Sequence, residues 1–246
     1  MAAFDRLKSL CPTISVGVLS ADLMDLGGEL ALLERAGIGV VHIDIMDGCF
    51  CPMLTVGPGY VRGLRTSLLK DVHLMIQEPL ASLPDYAAAG ADIISVHVES
   101  AKHIHRVLQH LGEMRTAKDP ESKIVRGLAL NPATPLDWLD APLLAEVEMI
   151  TLLGIDPGWS GQSLAPGTLS RLKRVREIIE DSGREILTCV DGGITRDNIA
   201  EVAAAGADLI VTGSAVFDDK AAERNAMEMI DAVRAAAPAS KNSGAA

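Results

Sequence analysis

The chain has 246 residues, 48% of them hydrophobic but only 3% aromatic, with a formal charge of −11. That length supports one large core or two small ones, and the scarcity of aromatics disfavours an all-β sandwich. The acidic balance argues against nucleic acid and anionic membrane as partners, since both need basic surface, but leaves room for a small phosphorylated ligand held by backbone N–H groups.

From the N-terminus, M-A-A-F-D-R-L-K-S-L carries Asp5, Arg6 and Lys8 where a secretory signal would be continuously apolar, so none is expected. Short β-branched runs then recur: I-S-V-G-V-L (14–19), V-V-H-I-D-I-M (40–46), D-V-H-L-M-I (71–76) and D-I-I-S-V-H-V (92–98). They continue with K-I-V-R-G-L-A-L (123–130), E-M-I-T-L-L-G-I (148–155), E-I-L-T-C-V (185–190) and D-L-I-V-T-G (208–213), eight in all. Segments with helical periodicity lie between them, among them Leu23 to Ala36, Leu83 to Ala89 and Leu169 to Asp181.

A local echo fixes how these pieces join. A-A-A-G-A-D-I-I (87–94) returns as A-A-A-G-A-D-L-I (203–210), with E-R-A-G-I-G-V-V (34–41) as a looser copy. Each reads as a helix ending on alanine, a glycine suited to the left-handed position after the helix, then a strand. Repeated helix-to-strand junctions with right-handed crossovers give parallel strands, and eight units in this length predict an α/β fold, a (β/α)₈ TIM barrel. An open doubly wound sheet would carry a glycine-rich fingerprint after the first strand, where S-A-D-L-M-D-L-G-G stands instead. The barrel is expected to occupy 1–236 as a single domain, with 237–246 a mobile tail. No run of about 18 apolar residues predicts a membrane span. The cysteines Cys11, Cys49, Cys51 and Cys189 form no CxxC pair, and are expected to be reduced thiols in a cytoplasmic protein.

In such a barrel the chemistry sits at the C-terminal strand ends. Period-two alternation puts His42, Asp44 and Met46 on one face and Val41, Ile43 and Ile45 on the other. His73 and Met75 likewise share a face opposite Val72 and Leu74, while the seventh run leads into Asp191, Gly192 and Gly193. A lone histidine on a strand is more often a hydrogen-bonded core residue than a ligand. Two histidines and two carboxylates aimed at one axis are costly to bury, and a divalent ion removes much of that cost. His42, Asp44, His73 and Asp191 are therefore a candidate metal site. Gly192, Gly193, Gly213 and Ser214 follow the last two strands, a common phosphate position in this architecture, although such glycines also serve simply to make tight turns. P-G-W-S-G-Q (157–162) supplies a third glycine-rich loop, suited to a flap over a polar ligand.

On these residues the sequence resembles the ribulose-phosphate 3-epimerase family. The resemblance rests on L-S-A-D (19–22), H-I-D-I-M-D-G (42–48), D-V-H-L-M (71–75), L-N-P-A-T-P (130–135), D-P-G-W-S-G-Q (156–162), V-D-G-G-I (190–194) and G-S-A-V-F (213–217), and runs from about Ile14 to Phe217. It implies a metal-dependent isomerase inverting C3 of a phosphorylated ketose through an enediolate, with Asp44 and Asp191 as acid and base. It also implies one divalent ion (zinc, iron, manganese or cobalt) on His42, Asp44, His73 and Asp191. His73, Ser160, Gly161, Gln162, Ser163, Gly192, Gly193, Gly213 and Ser214 would contact a small phosphorylated sugar. Met46 and Met75 would wall the intermediate, or else simply fill the core, and the chain would form a homo-oligomer.

The sequence departs from the family pattern at Gly17, Cys49, Cys51, Met53, Leu153 and Gly154, all expected at or beside the sugar pocket. D-ribulose 5-phosphate is the leading substrate, with D-allulose 6-phosphate or another ketose phosphate as the alternative. A metal-dependent aldolase and a non-catalytic phosphate-binding barrel are further alternatives on the same scaffold. His97 is expected near the pocket as a supporting or structural group, and His103, His105 and His110 on the surface.

Overall fold

A computed structural model describes residues 2–159 and 161–238. Eight parallel strands follow one another around a closed barrel: β1 (Thr13–Gly17), β2 (Val40–Met46), β3 (Leu69–Met75), β4 (Ile93–His97), β5 (Val125–Leu130), β6 (Met149–Leu153), β7 (Leu187–Asp191) and β8 (Leu209–Thr212). β8 closes back onto β1, with Thr13 opposite Leu209 and Val16 opposite Thr212. All eight strands expected from the sequence are present. Of the expected 237–246 tail, 239–246 lie outside the described residues.

Alternation sorts the strand residues into two cores. Val41, Ile43, Ile45, Val72, Leu74, Ile94 and Val96 point outward and pack under the helices. Val40, Leu69, Ile93, Val125, Met149, Leu187 and Leu209 point inward and fill the lower barrel. That inner core is closed from below by the helix Ala3–Leu10, whose Ala3 and Leu7 pack into it beside partly buried Phe4 and Leu10. A two-stranded hairpin, Arg115–Thr116 with Asp119–Lys123, was not anticipated and precedes β5. The Ser122 hydroxyl accepts from the Ala3 N–H at 2.8 Å, so the hairpin buttresses the plug.

The repeated A-G-A-D segments have a physical explanation. Gly37, Gly90 and Gly206 all sit at positive φ (76°, 94° and 96°), each following the C-cap residue (Ala36, Ala89 or Ala205) of a helix that ends at Arg35, Ala88 or Ala204. A side chain is disfavoured there, and glycine ends each helix without strain. The aspartate of each full copy then caps the strand before it. Asp92 accepts from the Lys70 N–H at 2.9 Å and Asp208 from the Thr188 N–H at 2.8 Å. The same local chemistry therefore starts β3 and β7, the two strands that carry His73 and Asp191.

With the lower barrel apolar and plugged, polar groups concentrate at the upper strand ends. Leu7 is fully buried at the centre of the plug. Leu7→Ala should destabilise the protein by about 2–5 kcal/mol, as for other large-to-small core changes. Urea unfolding followed by circular dichroism checks this, and a loss under 1 kcal/mol would show that the helix Ala3–Leu10 contributes little to the barrel.

Candidate active site and metal centre

β2, β3 and β7 bring His42, Asp44, His73 and Asp191 together, with one donor atom from each lying within 4.8 Å of all the others. His42 Nε2 lies 3.1 Å from Asp44 Oδ1 and 3.3 Å from Asp191 Oδ2. His73 Nδ1 lies 3.4 Å from Asp44 Oδ1 and 3.0 Å from Asp191 Oδ2. Both imidazoles are buried and both carboxylates open into the cavities above them. β2 and β7 are separated around the barrel by β1 and β8, so the two carboxylates approach the same space from different directions.

Each imidazole is held from behind. His42 Nδ1 is bonded to Asp71 Oδ2 at 2.8 Å, and the Ser15 hydroxyl donates to the same oxygen at 3.2 Å. His73 Nε2 is bonded to His97 Nε2 at 2.9 Å, and His97 Nδ1 to Glu99 Oε2 at 3.0 Å. Asp71 was not singled out in the sequence, although the signal was there: it precedes His73 by two residues and so shares its barrel-facing side.

The charges of the cluster answer one another. Burial opposes a charge on His42, but Asp71, Asp191 and Asp44 hold its pKa well above the usual imidazole value. Burial also opposes a charge on His73, and hydrogen bonds with Asp191 and Asp44 lift it to about 9. Burial would raise Asp44 and Asp191, but the two histidines hold both below the ordinary carboxylate range. Without an ion the protons of the imidazoles supply the positive charge. With neutral imidazoles the same donor set, two nitrogens and two carboxylate oxygens, fits a divalent first-row cation. Each histidine turns one nitrogen inward and keeps a hydrogen-bond partner on the other, as metal-bound histidines do.

Above the cluster lies a cavity of 710 Å³, which reaches Asp44, Asp191, Gly17, Ser20, Thr195 and Asn198 among others. Gly161, Gln162, Ser163, Gly192, Gly193, Gly213 and Ser214, all expected at the substrate, line it, and among the described residues no lysine or arginine does. Gly192 and Gly193 sit at positive φ (92° and 72°), and a β-carbon on either would press on Ile155 or on the Leu164 backbone. Asn198 clamps this turn, donating to the Gly193 carbonyl and accepting from the Thr195 N–H, both at 2.8 Å. The Gln162 amide binds its own loop, donating to the carbonyls of Asp156 (2.7 Å) and Trp159 (2.9 Å). Ser160 lies outside the described residues. His73, also expected to touch substrate, is fully buried and lines neither cavity.

A smaller cavity of 290 Å³ continues from the first past Met46, Met75, Met53, Leu153 and Trp159. Both expected methionines stand in this wall. Of the departures from the family pattern, Gly17 has room for a side chain, its nearest neighbour being Gly213 Cα at 3.5 Å from a built β-carbon. Gly154 has none, since a β-carbon there would lie 2.4 Å from the Gly192 carbonyl oxygen. Asp47 shapes the loop after β2, accepting from the N–H groups of Cys49, Phe50 and Gln77, each at 2.8 Å.

Comparison with known proteins agrees with this arrangement. Residues 13–217 match the model of the "Ribulose-phosphate 3 epimerase family". A protein named ribulose-phosphate 3-epimerase in Serratia marcescens is 44% identical over 207 residues, covering 83% of this chain and 94% of that one. Its namesake in Escherichia coli K12 is 43% identical over 208 residues, covering 83% and 88%. Among solved structures, 3-hexulose-6-phosphate synthase from Salmonella typhimurium superposes with a TM-score of 0.64 at 15% identity, covering 91% of this chain and 99% of that one. At that identity the likeness is one of fold.

The electrostatics predict a coupling between metal and protons. In the metal-free protein the raised His73 pKa stabilises the fold fully below about pH 6.5, and that contribution is lost as pH rises through about 9. An incoming ion must expel the imidazole protons, so its apparent affinity should rise with pH, by up to about tenfold per unit for each proton displaced. Calorimetric titration near pH 7.5 (about) in buffers of different protonation enthalpy should register release of at least one proton per ion. Binding without proton release would contradict the charge assignment.

Proposed function

The chain belongs to the ribulose-phosphate 3-epimerase family, and on that premise we propose that it converts D-ribulose 5-phosphate to D-xylulose 5-phosphate by inverting C3. It is an isomerase, and Asp44 and Asp191 are assigned as its acid/base pair. The observation that carries this reading is that two carboxylates from separated strands open into one cavity above a shared pair of imidazoles.

Inverting C3 requires that a proton leave one face of the carbon and another arrive on the opposite face. One aspartate, ionised, takes the C3 proton, and the other, protonated, delivers its own from the other side. Because the two are interchangeable in these roles, the reaction runs in both directions and each turnover exchanges their protonation states. The C3 proton of a 2-ketose is weakly acidic, and a divalent ion held by His42, Asp44, His73 and Asp191 supplies Lewis acidity for the negative charge that develops on the neighbouring oxygens. Met46 and Met75 offer a polarisable wall that keeps water from the enediolate.

The phosphate is assigned to the wall made by Gly192, Gly193, Gly213 and Ser214. With no cationic side chain among the described residues lining that cavity, backbone N–H groups and hydroxyls carry the anion. The segment Gly161–Ser163 is assigned to the sugar, with Gln162 holding its own loop through the Asp156 and Trp159 carbonyls. No described helix is long and apolar enough to cross a membrane. A cytoplasmic location is supported by four free cysteines. Self-association is supported by exposed Leu23, Met24, Leu54 and Trp159, and sedimentation of the purified protein checks it.

Incubation with D-ribulose 5-phosphate in D₂O should yield D-xylulose 5-phosphate with deuterium at C3. Asp44→Asn and Asp191→Asn should each lower turnover by about 10²–10⁴-fold with the fold intact. A parallel incubation with D-allulose 6-phosphate ranks the competing ketose phosphate. Deuterium at C3 of neither substrate contradicts the proposal.

A further inference from the structure

The chain of contacts behind His73 does more than fill space. His97 is fully buried on β4, and its ring is nearly parallel to that of His73 (10°) with centroids 5.0 Å apart. With the two Nε2 atoms at 2.9 Å, this is an edge-to-edge nitrogen–nitrogen hydrogen bond rather than face stacking. The Phe50 ring packs on His97 at 4.7 Å and holds its plane. Beyond it, Glu99 accepts at Oε2 from His97. Its other oxygen accepts from the Asn131 N–H at 2.9 Å and from the Thr134 hydroxyl. The carbonyl oxygen of Thr134 accepts in turn from Arg171 at 2.7 Å, which fixes the loop that holds Glu99.

These contacts leave a single hydrogen arrangement once His73 is neutral. A carboxylate only accepts, so the hydrogen of His97 is on Nδ1 and its Nε2 is bare. A bare Nε2 requires the facing His73 Nε2 to carry a hydrogen. His73 Nδ1 then has its lone pair free, and Nδ1 is the atom that faces Asp44 and Asp191. We propose that His97 and Glu99 are positioning residues of the metal centre: Glu99, acting through His97, locks His73 in the tautomer that offers Nδ1 to a divalent cation. The inference rests on the reading of His42, Asp44, His73 and Asp191 as that cation's ligands. It also joins the centre to the loop Asn131–Pro135, whose Asn131 N–H and Thr134 hydroxyl hold the second oxygen of Glu99.

Glu99→Gln tests it, because the substitution keeps the shape and changes only the donor pattern. A glutamine has one oxygen, and the Asn131 N–H and Thr134 hydroxyl claim it. Its NH₂ group then faces His97 and donates to Nδ1, moving the His97 hydrogen to Nε2 and the His73 hydrogen to Nδ1, where the ion should bind. Zinc affinity, measured by competition with a chromophoric chelator, should fall by about 10–100-fold. Thr134→Val leaves the Glu99–His97 bond in place and should stay much closer to the unsubstituted protein.

Nitrogen NMR of histidine-labelled, zinc-loaded protein gives a readout that needs no variant. It should place the His73 hydrogen on Nε2 and the His97 hydrogen on Nδ1. A less than tenfold loss of zinc affinity in Glu99→Gln, or a hydrogen on His97 Nε2 in the unsubstituted protein, overturns the inference and leaves the metal site standing. Failure of the unsubstituted protein to bind zinc or any other first-row divalent ion overturns both.

Discussion

Two carboxylates and two imidazoles converge within 4.8 Å at the top of the barrel, and they cannot coexist there without positive charge among them. Protons on His42 and His73 supply it in the ion-free protein, and a divalent cation is the alternative that this donor set fits. Much of the surrounding structure serves that constraint. Asp71 with Ser15 turns His42 inward, and His97 with Glu99 turns His73 inward. The plugged apolar interior below leaves the charged groups an opening only upward, into the cavity where substrate would sit. Under the proposed function, ion binding, ligand protonation and the acid/base pair would form one electrostatic unit, since Asp44 and Asp191 belong to both the four-residue cluster and the cavity wall.

Most of the fold was legible because it obeys two simple periods. The V-H-I-D-I-M run splits under alternation into a helix-facing and a barrel-facing set, and the structure keeps that split residue by residue. The A-G-A-D echo marked helix ends that do adopt left-handed glycine conformations. The hairpin at 115–123 escaped notice because D-P-E-S-K has neither apolar alternation nor β-branched residues, and pairing rather than propensity makes it a strand. Asp71 was less legible because its partner His42 stands on the neighbouring strand, and only their pairing in register shows the contact. Glu99 lies in the short turn Val98–Ser100 after β4, beyond the reach of alternation, and its partners on the next loop are visible only in three dimensions.

The departures from the family pattern divide on inspection. Gly154 belongs to the scaffold, because the Gly192 carbonyl lies where its side chain would be and the Gly154 N–H donates to the Asp191 carbonyl. Leu153 and Met53 line the smaller cavity beside Asp44 and Asp191, where apolar side chains shape the space next to the charged cluster. Gly17 lies on the larger cavity with space beside it, so a hydroxyl that a serine could supply there is missing and the opening is wider. None of these departures replaces a member of the His42, Asp44, His73 and Asp191 cluster, but Gly17, Met53 and Leu153 line the same cavities as Asp44 and Asp191.

The central claim is that this four-residue cluster is a cation site. Titration of the metal-free protein with cobalt, whose visible absorption reports ligand type and geometry, tests it most directly. The account predicts saturation at one ion per chain with a nitrogen–oxygen spectrum, lost on His73→Ala while the protein stays folded. Saturation at one ion with an unchanged spectrum in His73→Ala, or no cobalt bound by the unsubstituted protein, would contradict it.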